Sequence, residues 1–73
     1  MRKREKAVRY GISVFLPLVR DRAGTEMTGK EFAAEIRSSH GTDAKACRLA
    51  DAIETHLDKL YVCQNGAVAF NLK

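Results

Sequence analysis

Apolar positions in this 73-residue chain fall into four blocks, punctuated by Gly11 and Pro17 inside the first, by the clusters "RAGT" and "SSHGTD" between blocks, and by "QNGA" inside the last. In the first block, about Lys3 to Arg22, two periods compete. Val8, Ile12, Phe15 and Val19 repeat as a helix does, whereas Ile12, Val14, Leu16 and Leu18 alternate as a strand does. Pro17 removes a helical hydrogen bond, and the β-branched residues favour a strand locally. The pattern leans to a helix, kinked or broken near Pro17.

The second block has an explicit start signal. Thr28 followed three residues later by Glu31 is a capping box, with Met27 at the staple position. Phe32, Ala33 and Ile36 then make one apolar face, and Gly41 is placed to leave the helix, expected over 29–39. The third block opens at Thr42 or Asp43, both competent N-caps. Ala46, Ala50, Ile53, Leu57 and Leu60 recur at helical spacing, which predicts a helix over 43–59. The fourth reads as a hairpin. Asn65-Gly66 is the preferred pair for a two-residue type I′ turn, flanked by "LYVC" and "AVAF". That register sets Tyr61 opposite Phe70 and Cys63 opposite Val68, and puts all four on the face toward the helices.

Charge changes the picture. The net +4 lies wholly in residues 1–9, where Arg2, Lys3, Arg4, Lys6 and Arg9 face Glu5 alone; residues 10–73 are balanced. The expected organisation is a basic N-terminal arm, 1–9, on one small domain, 10–73. Such an arm attracts phosphates, but it also serves solubility. No apolar run is long enough to span a bilayer, "MRKREK" lacks a following cleavage pattern, and a cytoplasmic, non-membrane protein is expected. Cys47 and Cys63 are too few for a disulfide framework, and with His40 and His56 they lack the paired spacing of a zinc site. No cofactor is expected. Catalysis has little support: "GTDAKA" is not a phosphate loop and no Ser or Cys sits in a triad-like context.

Helix, capped short helix, longer helix and hairpin, in that order, resemble a winged helix-turn-helix DNA-binding domain. "MTGKEFAAEI" is similar to the second helix of that superfamily, and "DAKACRLADAIETHLDKLYVCQNGAVAFNL" to a recognition helix running into a wing. The resemblance covers residues 27–72. It implies a mostly α fold of three helices plus a small antiparallel β wing, with the third helix in the major groove of double-stranded DNA. On that implication Thr42, Lys45 and Arg48, with Asp43, Ala44 and Ala52 nearby, approach the bases; Ser38, Ser39 and His40 meet phosphates; Gln64 and Asn65 at the wing tip reach adjacent backbone; and Arg2, Lys3, Arg4 and Lys6 follow the phosphates. The role implied is a small transcriptional regulator or accessory factor of a phage or mobile element, working as a homodimer because one module buries little surface.

The charge of the third helix is the departure. Between 42 and 60 stand Asp43, Asp51, Glu54 and Asp58 against Lys45, Arg48 and Lys59. A helix that acidic opposes DNA unless Arg20, Arg22 or Arg37 adds positive charge. The alternative is a protein-binding module on the same body, such as a small phage-type inhibitor docking on a nucleoprotein partner.

Overall fold

The structure is a computed structural model and describes residues 3–73. The chain runs α1 (Lys3–Phe15), a 3-10 helix (Leu16–Arg22), β1 (Glu26–Thr28), α2 (Gly29–His40), α3 (Ala44–His56), β2 (Leu57–Val62) and β3 (Val68–Leu72). The three strands form one antiparallel sheet in the order β1-β2-β3. Three helices and this sheet make a winged-helix-like layout.

The first block is helical, and Pro17 explains its break. Proline lacks the amide an α-helix interior uses, so the α-helix stops at Phe15 and a tighter helix carries Pro17 in its first turn. Val8, Ile12, Phe15 and Val19, the helical reading of the block, are all buried. The expected basic arm is corrected at the same point: residues 3–9 are the first two turns of α1, and Val8 among them is fully buried, so the domain begins inside the basic segment.

The capping box is present. The Thr28 hydroxyl accepts from the Glu31 amide at 3.1 Å, and the Thr28 amide donates to the Glu31 carboxylate at 3.2 Å. Replacing Thr28 by Ala is expected to lower stability by about 1 kcal/mol, read as a shift in urea midpoint at unchanged slope. Gly41 does end α2, but at a negative φ of −62°, not in the left-handed conformation. Asp43 caps α3 by accepting from the amides of Lys45 and Ala46, at 2.9 and 3.3 Å.

Three expectations about the second half are corrected. α3 ends at His56, and Leu57 and Leu60 belong to β2. Both are fully buried, because a register irregularity between Leu57 and Lys59 turns them to the same side of the sheet. A spacing of three therefore imitated a helix. The hairpin turn is not type I′: Asn65 has no positive φ, Gly66 alone does (+89°), and the Gly66 amide donates to the Cys63 carbonyl at 3.0 Å. A three-residue loop, Gln64 to Gly66, closes the hairpin on the Cys63 amide to Ala67 carbonyl bond of 2.8 Å. The register consequently slips by one, pairing Leu60 with Phe70, Tyr61 with Ala69 and Val62 with Val68. Every side chain on β2 changes face. Leu60 and Val62 enter the core, whereas Tyr61 is exposed and Cys63 half-buried.

The core lies between the helices and the inner face of the sheet. Phe32, Ile36, Ile53, Leu57, Leu60, Val8 and Val19 are its largest fully buried side chains. Small residues bring the elements close: Ala33, Ala46 and Ala50 are buried in the α2 and α3 faces, and Gly11 of α1 lies over Ile53. β1, absent from the sequence reading, pairs Met27 with Leu60 and places Met27 in the core.

Candidate nucleic-acid interface

α2 and α3 are joined by Gly41, Thr42 and Asp43, a turn of helix-turn-helix length. The Asp43 amide donates to the His40 carbonyl at 3.0 Å, which holds the turn, and the Asp43 side chain then starts α3. Around this corner Ser39, His40, Thr42, Lys45 and Arg48 are all exposed. Of these, His40 and Lys45 line one shallow depression with Tyr10 and Val14. His40 also has a packing role, its ring lying 5.4 Å from that of Phe15 at a tilt of 48°. The Lys45 ammonium sits 6.0 Å from the centre of the Tyr10 ring.

The acids that opposed DNA on this helix are disposed otherwise. Asp43 is spent on the cap. Asp51 and Glu54 are both gripped by Arg37 of α2, whose two terminal nitrogens donate to them at 2.6 Å each. The hydrogen bond to Glu54, then that to Asp51, raises the Arg37 pKa above the ordinary arginine value, so the guanidinium keeps its charge. Asp58 is not on the helix at all; it lies in β2. Among the described residues Lys45 and Arg48 form no ion pair. Arg22, considered above as an extra phosphate contact, is instead paired with Glu35.

The remaining candidates do not join the corner as one cluster. α1 and α3 run in opposite directions, Phe15 lying by His40 and Ala46 while Gly11 meets Ile53. The basic start of α1 is therefore displaced toward the C-terminal end of α3. Lys3 and Lys6 are exposed and share a helical strip with Tyr10 and Val14, at steps of three, four and four residues. Arg4 turns inward with Val8; it is half-buried, and its Nε is buried with no hydrogen-bond partner. Arg9 stacks on Phe70 at 5.1 Å. Arg2 lies outside the described residues. At the hairpin tip the Asn65 side chain accepts from the Ala67 amide at 3.0 Å, and Gln64 lies against Gly24, so both are partly engaged within the fold. The tip is the far end of strands whose base meets α3, since the Lys73 amide donates to the His56 carbonyl at 2.8 Å.

Tyr10 and Val14, about half exposed at 50% and 45%, were not selected from the sequence. They stand one helical turn apart beside Lys45 and Leu49 and make the apolar flank of the corner. Their alternation with buried Val8, Gly11, Ile12 and Phe15 was the available signal.

The element order and the three-residue turn between α2 and α3 make a winged-helix-like body, with Lys45 and Arg48 exposed and free of ion pairs among the described residues on α3. No family model, no curated protein and no solved structure matches this chain. Among the described residues no three His, Cys, Asp or Glu side chains group to hold a metal ion, and no helix is long and apolar enough to cross a membrane.

Proposed function

We propose that this chain is a small duplex-DNA-binding protein of the winged helix-turn-helix superfamily, a transcriptional regulator or accessory factor of a phage or mobile element acting in the cytoplasm. α3 enters the major groove N-terminus first, with Arg48 available for a guanine edge and Lys45 for a phosphate or base. Ser39, His40 and Thr42 meet the backbone at the turn. The charge sorting on α3 carries this reading: the cap and Arg37 take the helix's three acids into intramolecular contacts, and Lys45 and Arg48 stand free on the exposed side. A homodimer fits the small area that one module offers.

Fluorescence anisotropy of a labelled random duplex at rising salt tests it. Lys45 and Arg48 are the two cations of this face, and log affinity is expected to fall with log salt at a slope of about −2. Flat anisotropy at low salt would sink the proposal. The exposed Tyr10 and Val14 pair favours a second reading, a protein-binding module whose partner covers that apolar flank. A flat trace would leave that one standing.

A further inference from the structure

Arg37 links the two helices of the turn and satisfies both acids on its side of α3. The guanidinium is planar and presents separate donors, so one side chain can hold two carboxylates, Asp51 through Nη2 and Glu54 through Nη1. Asp51 is three residues from Arg48 and lies toward the exposed side of α3, with 70% of its side chain open to solvent. Released from Arg37, it would sweep the same surface as Arg48, and as a helix neighbour it would be in range to pair with it. Such a pair would withdraw Arg48 from any anion.

We propose that Arg37 is a positioning residue for DNA binding: it leaves the duplex untouched, keeps Asp51 away from Arg48, and holds both Asp51 and Glu54 back from the phosphates. This rests on the DNA reading above. Arg37 acts as an internal counterion, so α3 can carry acids needed for its contact with α2 and still present a positive face. Three features support an indirect role. Both fork nitrogens are already engaged at 2.6 Å, the pair joins α2 to α3, and the raised pKa follows from the two acids and from no other group.

The test compares Arg37→Gln with the triple variant Arg37→Gln, Asp51→Asn, Glu54→Gln, in anisotropy titrations with the same random duplex at about 0.1 M salt. Arg37→Gln is expected to bind about tenfold more weakly, the effect of roughly one uncompensated charge at that salt. The triple variant, which lacks the acids as well, is expected to bind at least as tightly as the unaltered protein. Circular dichroism and urea midpoints of all variants report whether the fold is kept. Unaltered affinity in Arg37→Gln would overturn the proposal, as would a loss no greater than that of Lys30→Gln, which removes the same charge from an exposed site on α2, or a triple variant that stays as weak as Arg37→Gln. Failure of the unaltered protein to bind any duplex overturns the DNA reading and this inference with it, an outcome distinct from the other two.

Discussion

Replacing Lys45 and Arg48 together by glutamate is expected to abolish duplex binding, with at least about a thousandfold loss near 0.1 M salt, while the fold stays intact. Both side chains are exposed and lack ion-pair partners among the described residues, so little in the fold depends on them. The reversal changes the charge of one small face by four units, and each unit is worth about a factor of ten against a polyanion at that salt. Stability should move by no more than about 0.5 kcal/mol, as for surface substitutions generally. A glutamate at 45 sits in the first turn of α3, where negative charge is favoured by the helix dipole. The measurement is anisotropy with the random duplex, beside a urea melt of the same preparation. The informative control is Lys30→Glu, an exposed lysine on α2. If the control loses as much as the double variant, affinity reflects bulk charge and α3 has no special place; if the double variant binds as before, this face is not the reader.

The second large effect concerns stability, and it separates two glycines that helix propensity would treat alike. Gly29→Ala is expected to cost about 3 kcal/mol, whereas Gly11→Ala should be close to neutral. Gly29 is the buried first residue of α2. A methyl group there would collide with the Leu57 carbonyl oxygen and come within 2.9 Å of the Ile53 carbonyl oxygen and 3.0 Å of the Leu57 carbonyl carbon. All three are backbone atoms at the junction of α3 and β2. They can move only if α2 lifts from that junction, which places the cost at the upper end of overpacking effects, about 3 kcal/mol. At Gly11 the nearest atom is the Ile53 Cδ1 at 2.7 Å, the free end of a side chain that can turn aside. A repacking cost of about 1 kcal/mol there is offset by the similar gain of alanine over glycine within a helix. Urea unfolding of the two variants checks the contrast, and equal midpoints would mean that α2 is not seated on this junction. In a domain of this size, with only a few kcal/mol to lose, Gly29→Ala should leave a substantial unfolded population at 37 °C.

These two experiments probe different links of the same chain of causes. The first asks what the exposed side of α3 does; the second asks what holds α3 and α2 in their angle. If Gly29→Ala remains partly folded yet loses DNA binding disproportionately, the turn between the helices is part of the reader, because shifting α2 moves Arg37 and with it Asp51 and Glu54.

What could be read from sequence was local. The Thr28 and Glu31 box, the Asp43 cap and the helical step of Val8, Ile12, Phe15 and Val19 each depend on residues within one or two turns, and each is present. Lys45 and Arg48 were selected because they follow that cap on the side away from Ala46, Ala50 and Ile53, and both are exposed. The same local logic misled at the end of α3. Leu57 and Leu60 continued the helical step, but pairing of β2 with strands on both sides outweighed it. β1 has only three residues and no pattern of its own; it exists because β2 offers a ladder to Glu26, Met27 and Thr28.

The hairpin shows the limit most clearly. Asn-Gly announced a turn, and there is one, but whether two or three residues close it decides which face of β2 meets the core. Burial of Leu60 and Val62 selected the longer loop and turned Tyr61 outward. The reach of Arg37 to Asp51 and Glu54, 14 and 17 residues away on another helix, had no sequence signature. Sequence alone determined where helices begin, where a turn falls and which cations are candidates, because those depend on neighbours in the chain. Only the tertiary structure decided where α3 yields to β2, which strand face is inside and which acids are neutralised, because those are set by groups that meet only after the chain has folded.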